Sequence, residues 1–290
     1  MAEAVVATGL WGDAGRRLAG NRPAVAAGVI LAILVLLVLA GPLLSPYSYD
    51  QTDWDSMSLP PELASGHVFG TDALGRDLFV RTMEGGRVSL AVGVVATLVS
   101  LVIGVTWGAV AGYAGGRADR IMMRIVDVLY ALPFMFLVIL LMVFFGRSIL
   151  LMFVAIGAIN WLDMARIVRG QTLSLKQREF VEAARAIGVP PGRIIRRHIV
   201  PNLLGVVAVY VTLTIPQVIL VESFLSFLGL GVQEPMTSWG ALVNEGAHEL
   251  EQAPWMLLIP GGFLALTLFC FNFLGDGLRD ALDPRDRREA

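Results

Sequence analysis

Residues 88–116 read VSLAVGVVATLVSLVIGVTWGAVAGYAGG, twenty-nine in a row without a charged side chain. As a helix this run is about 43 Å long, more than the roughly 30 Å of a bilayer's hydrocarbon layer. The whole chain shares its character. Of 290 residues, 56% are apolar and only 16% charged, against about 45–50% and about 25% in soluble domains. Mean hydropathy is +0.70. This composition excludes an ordinary soluble enzyme and a disordered chain, which needs high charge and few apolar residues. A formal net charge of −2 excludes a basic nucleic-acid-binding domain. The single cysteine, Cys270, allows neither an internal disulfide nor a cysteine-rich metal site.

Outward from residues 88–116, five further runs between charges reach membrane-span character. They are Pro23–Tyr49, with its apolar heart at 25–44, then Val128–Gly146, Ser148–Leu162, Ile199–Val221 and Gln252–Gly275. The Ser148 run is short, so its helix is expected to continue past Asp163 toward Arg169. The first run exceeds the about 7–15 residues of a cleavable signal's apolar region, and Ser45-Pro46-Tyr47 offers no small-x-small site. It reads as an uncleaved span. The expected fold is therefore all-α, a polytopic membrane protein with six transmembrane helices. Its parts are an N-terminal segment 1–24, a first span 25–44, an outer loop 45–87, a five-span core 88–276 and a tail 277–290. Lys and Arg orient it. With the N-terminus inside, eighteen of the 22 basic residues fall on the cytoplasmic side and four outside. Both termini are then cytoplasmic. Gly104, Gly108 and Gly112 recur every four residues, a spacing that lets helix backbones approach closely in lipid.

One cytoplasmic loop, about residues 170–202, stands out for size and charge. Ser174 followed by Gln177 has the capping-box pattern, which predicts a helix start. Phe180, Ala184 and Ile187 share one predicted face, and Arg178, Glu182 and Arg185 are spaced for ion pairs on another. Gly188 supplies a left-handed helix end, and Pro190-Pro191 blocks continuation. A second short helix with Arg193, Arg196 and Arg197 leads to Pro201. The bland reading is a basic loop that obeys the positive-inside rule. Against it, the apolar face of a short exposed helix must bury on something.

Glu182-Ala183-Ala184, with Gly188 six residues later and Pro201 thirteen further on, resembles the EAA loop of permease subunits of bacterial ABC importers. The chain departs from the general pattern at His198 and Val200. There, Arg197-His198-Ile199-Val200-Pro201-Asn202 is similar to the peptide-importing branch. Three more stretches match that branch: Phe69-Gly70-Thr71-Asp72 with Gly75-Arg76-Asp77; Ser226-Phe227-Leu228-Gly229-Leu230-Gly231 with Ser238-Trp239-Gly240; and Gly275-Asp276-Gly277-Leu278-Arg279-Asp280-Ala281-Leu282-Asp283-Pro284. The likeness spans almost the whole chain. It implies a subunit of an oligopeptide importer in the bacterial cytoplasmic (inner) membrane. Its implied partners are a second homologous permease, two ABC ATPases that carry ATP and Mg, and a peptide-binding protein outside. The chain itself would bind no cofactor. The helix Glu179–Ile187, with Glu179, Phe180, Glu182, Ala183, Ala184, Arg185, Ile187 and Gly188, would dock in an ATPase as a coupling helix. Dipeptides, glutathione or nickel are the alternative cargo.

Other signals are weaker. The only lysine, Lys176, has no glycine loop before it, so no phosphate-binding loop is present. His67, His198 and His248 are scattered, and no nucleophile–base set appears. The segment after Gly70 is expected to be helical, capped by Thr71 or Asp72, with Asp72–Arg76 and Asp77–Arg81 pairs and Leu74 and Leu78 on one face. Asp163 is expected to pair with Arg166. Thr214 and Gln217 are expected to face the transport pathway, because their span follows the docking loop. Pro216 and Pro260-Gly261-Gly262 read as hinges or as ordinary breakers of membrane helices. An ion-driven secondary transporter is the rival class. It calls for ionisable groups near midplane, whereas Asp127, Asp163 and Glu222 lie near span ends.

Overall fold

Helices that meet in lipid must satisfy their own backbone, so the runs above fold as helices and pack through small residues. The computed structural model describes residues 10–63, 66–146 and 148–282. Residues 1–9, Arg147, the Asp283-Pro284 end of the last motif and the rest of the tail lie outside them. The helices are α1 (Leu10–Gly20), α2 (Arg22–Leu44), α3 (Leu78–Ala114), α4 (Gly116–Tyr130), α5 (Phe134–Phe145), α6 (Ile149–Leu175), α7 (Glu179–Ala186), α8 (Pro191–Ile194), α9 (Val200–Phe227), α10 (Trp239–His248) and α11 (Trp255–Leu282). Five helical runs are long and apolar enough to cross a bilayer: α2, α3, most of α6, the continuous run Pro191–Phe227, and α11. The pair α4 and α5 supplies a sixth if it is taken as one bent span.

Three boundaries differ from expectation. Helix α3 starts at Leu78, ten residues before the uncharged run. Its Arg81 and Arg87 do not end it, because both are paired. Arg87 donates to Glu84 and to the carbonyl of Val38 at 3.0 Å. The third run is not one straight span. It breaks at Ala131–Pro133 with a 77° bend between α4 and α5, since proline lacks an N–H and pushes the residue before it out of helical geometry. The segment around Arg193, Arg196 and Arg197 is not a separate helix. A π turn at Ile195–Ile199 joins α8 to α9, with Val200 N–H donating to the Ile195 carbonyl. The wider turn makes room for Pro201, which cannot bond back to Arg197.

Helix α3 is the central element, packed on α6, α9 and α2, while α11 closes against α2, α9 and α10. The glycine row decides the first contact. A Cβ on Gly108 would lie 2.4 Å from the Ala165 carbonyl, and one on Gly104 2.5 Å from Met164 Cβ. So α3 and α6 touch backbone to backbone. Helices α9 and α11 run unbroken through Pro216 and Pro260.

Candidate functional site

On the cytoplasmic side, α6 runs on past Asp163 as expected, but it also consumes Ser174, which therefore caps nothing. The Gln177 N–H bonds to the Ser174 carbonyl in a closing turn, and α7 begins at Glu179. Glu179 and Glu182 sit in its first turn and Arg185 in its last, the charge order that suits a helix dipole. Gly188, at φ +79°, ends it. Gly188 N–H donates to Arg185 and Val189 N–H to Ala184, the paired bonds of a glycine-terminated helix. Val181 and Ala184 are buried in one apolar cluster with Ile194 of α8, on which α7 packs, and with Val105 of α3, Met164 of α6 and Leu203 of α9. Lys176 pins the turn by donating to the Gly112 carbonyl at 2.9 Å.

The expected apolar face of α7 splits. Ala184 points in, while Phe180 is 41% and Ile187 80% exposed. Val181, not singled out from the sequence, is the true anchor. Glu179, Glu182, Ala183 and Arg185 are also exposed. No ion pair joins Arg178, Glu182 and Arg185 among the described residues; the Arg185 guanidinium lies 5.6 Å over the Tyr113 ring. The element is thus fixed from below by aliphatic packing. It presents two large apolar side chains amid charges.

The outer face is built differently. After Gly70 the chain makes a tight turn, not a helix, closed by the Thr71–Asp77 bridge. Gly75 has φ +74°, and a Cβ there would lie 1.7 Å from the Asp53 carbonyl oxygen. Thr71 Oγ1 donates to the Ser56 carbonyl and accepts from Leu59 N–H. Asp72 accepts from the N–H groups of Leu74 and Arg76 and from Arg76 Nε at 2.6 Å. Asp77 caps α3 through Val80 N–H and meets His67 Nδ1 at 2.8 Å. The expected Asp77–Arg81 pair does not form; Arg81, fully buried, pairs with Asp72 and, at 3.0 Å, with Glu245 of α10. Arg76 adds Glu234 at 3.0 Å. Leu78 is buried beside Leu242 and Met256.

Two carboxylates share these guanidiniums unequally. Burial alone would raise the pKa of Asp72, but Arg81, the Arg76 N–H and the Arg76 charge outweigh it and hold the carboxyl below its usual range. For Glu245 burial wins over Arg81 and Arg76, and its pKa is raised. Asp72 is therefore the fixed anion of the clamp.

Within the spans, Glu222 is fully buried. It accepts from Ser226 at 2.7 Å and from Ser89 of α3 at 2.9 Å, and Ser89 also accepts from Trp239 N–H. This network ties α3, α9 and α10. The sequence placed Glu222 near a span end without its partners; Ser226 lies one helical turn on, but Ser89 comes from a distant segment. Thr214 is 2% exposed and donates to the Tyr210 carbonyl, whereas Gln217 is exposed. Arg166 pairs with Asp127 at 3.0 Å rather than with Asp163, because the bend brings α4 across α6. No group of three His, Cys, Asp or Glu able to hold a metal occurs among the described residues.

The described residues thus form an all-helical chain with five to six candidate spans, a braced outer loop and the small helix α7. Residues 104–288 match the model of the family described as binding-protein-dependent transport system inner membrane component. Residues 9–61 match the N-terminal TM domain of oligopeptide transport permease C. The chain belongs to the binding-protein-dependent inner membrane transport components and is a multi-pass, non-catalytic permease subunit. It is 60% identical over 278 residues to the "Oligopeptide transport system permease protein OppC" of Escherichia coli K12, covering 96% of this chain and 92% of that protein. The protein of the same name from Haemophilus influenzae is 58% identical, at 96% and 89% coverage. The "Dipeptide transport system permease protein DppC" of Bacillus subtilis is 50% identical, at 95% and 86%. The solved inward-facing MetNI methionine ABC transporter shares the fold, with TM-score 0.58 over 71% of this chain and 96% of that one, at 20% identity.

Proposed function

We propose that this chain is the transmembrane subunit of an ATP-driven importer of oligopeptides, and that α7 docks in the cleft of a cytoplasmic ATPase. The observation that carries the docking role is the split of α7: Val181 and Ala184 buried, Phe180 and Ile187 held exposed. Exposing large apolar side chains on a short helix is unfavourable unless a partner covers them. Because α7 packs on α8, which runs on without a break into α9, a push on it acts directly on that span. In this reading the ATPases' closure biases the spans toward one of two arrangements, and product release reverses the bias. A second, homologous permease completes the pathway, a binding protein delivers peptide from outside, and ATP and Mg stay on the ATPases. Gln217 is the exposed polar group of α9 suited to line that pathway. Oligopeptide cargo is supported by the high identity to proteins named for it, over almost all of both chains. Dipeptide cargo is the second reading, supported by the dipeptide permease at 50% identity.

The test is a pull-down of tagged chain from solubilised membranes, with peptide-stimulated ATPase assayed on the eluate. Recovery of ATPases and a second permease is expected, with stimulation by oligopeptides abolished in Glu182→Arg. A chain that purifies alone and transports in proteoliposomes on an ion gradient without ATP would overturn the reading. Stimulation by dipeptides alone would replace the cargo.

A further inference from the structure

Helix α4 carries a basic cluster that neither the docking helix nor the outer clamp uses. Arg117, Arg120 and Arg124 lie on one exposed flank at helical spacing. Ile121, Ile125 and Val128 form the next stripe, 65%, 42% and 57% exposed. The third face is buried, with Val126 against Trp161 and Leu162 of α6. An open pocket of about 640 Å³ lies between α4 and α6, lined by Arg120, Met123, Arg124, Asp127, Arg166 and Arg169. The α6 arginines are already engaged: Arg169 pairs with Asp119 at 2.5 Å and Arg166 with Asp127 at 3.0 Å. Arg120 and Arg124 meet no carboxylate among the described residues; Arg120 only donates a long bond to its own helix, at 3.4 Å to the Gly116 carbonyl. The pocket therefore holds uncompensated positive charge next to an aliphatic stripe, a second pocket of about 430 Å³ mixing the same arginines with Ile121 and Ile125.

We propose that this end of α4 binds the phosphate headgroup of an anionic phospholipid of the cytoplasmic leaflet. The guanidiniums of Arg120 and Arg124 take the phosphate oxygens, and the acyl chains lie on Ile121, Ile125 and Val128. Several features favour this ligand. Guanidinium forks match phosphate geometry. Basic pockets between spans on the cytoplasmic side suit anionic headgroups. An amphipathic helix with a charged flank and an aliphatic stripe belongs at the headgroup–acyl boundary. The backbone agrees: α4 leaves α3 through Gly115 and Gly116, both at positive φ, and reaches the apolar α5 only after the 77° bend. Free phosphate would use the arginines but leave the stripe bare.

The complex extracted from membranes is tested by native mass spectrometry and in nanodiscs, with phosphatidylglycerol in phosphatidylcholine as the probe and pure phosphatidylcholine as the neutral control. Phosphatidylglycerol retention is expected, with affinity about thirtyfold lower in Arg120→Gln/Arg124→Gln, roughly fivefold per arginine. Arg193→Gln/Arg197→Gln, whose exposed arginines lie outside the pocket, is expected to bind as the parent does. Independently of any loss of expression in the double variant, a photo-crosslinker at Ile125 is expected to yield a lipid adduct. Equal retention by the double variant overturns the site. Inorganic phosphate that competes as strongly as the lipid overturns the lipid assignment, as does a crosslink to protein alone.

Discussion

The outer clamp and the inner helix α7 are both short and charged, yet they are opposite in design. Outside, Asp72, Arg76, Arg81 and Asp77 are buried, and each charge meets its partner within the chain. Inside, Arg178, Glu179, Glu182 and Arg185 are exposed, with no ion pair among the described residues. Buried charge is tolerated only when paired and hydrogen-bonded, and the clamp's carboxylates and guanidiniums meet within the chain, with Arg81 Nε alone of its buried side-chain atoms left without a hydrogen-bond partner among the described residues. Helix α7 is packed only on its Val181 side.

Arg81→Met attacks the outer clamp. It leaves Asp72 and Glu245 with Arg76 as the one guanidinium between them among the described residues, at a cost of about 1–3 kcal/mol. Thermal unfolding in detergent and proteolysis of residues 45–77 would read it, and parent-like resistance would show that the clamp braces nothing. Gly108→Val forces a side chain into the Ala165 backbone and is expected to cost about 1–3 kcal/mol by overpacking, seen as a lower Tm. Gly188→Val must hold a β-branched residue at φ +79°; the expected cost is about 1–2 kcal/mol, with peptide-stimulated ATPase lost because α7 no longer ends where it should. Ile187→Ser sharpens the contrast most cleanly. At 80% exposure it should change stability by within about 0.5 kcal/mol, yet weaken ATPase recovery in the pull-down; full recovery would mean the exposed apolar group is not part of docking. The mildest probe is acid. The Asp72 carboxyl titrates below its ordinary 3.8, so its stabilisation is fully present above that pH and lost as pH falls through the lowered value. Amide protection in residues 53–77, taken relative to the intrinsic exchange rate at each pH, should fall as pH drops below about that point, and Asp72→Asn should remove the step.

Much of this was legible in residue order. The uncharged runs located the spans, and the Gly188 stop and the extent of α7 matched their chemistry. The failures have local causes. Ser174 and Gln177 fit a helix start, but the α6 hydrogen-bond ladder runs through Ser174 first. Phe180, Ala184 and Ile187 are near-neighbours on a helical wheel, yet a helix of eight residues touches its support through a narrower stripe, centred on Val181 and Ala184. Asp72 and Arg76 suggested a helical pair by spacing, and they do pair, but across a glycine turn. The partner of Glu222 outside its own helix, Ser89, is far from it along the chain, so no spacing rule could gather the two.

What the sequence determined by itself was the solvent of each segment. Twenty-residue apolar runs have one stable home, lipid, and the eighteen-to-four division of basic residues orients them. Only the tertiary structure decided which charges are spent and which are free. Arg81 and Arg120 look alike in sequence. Packing buries Arg81 between Asp72 and Glu245, while α4's rotation on α6 leaves Arg120 facing an open pocket. Composition counts charges, but their cost and use depend on which groups the fold brings within about 4 Å.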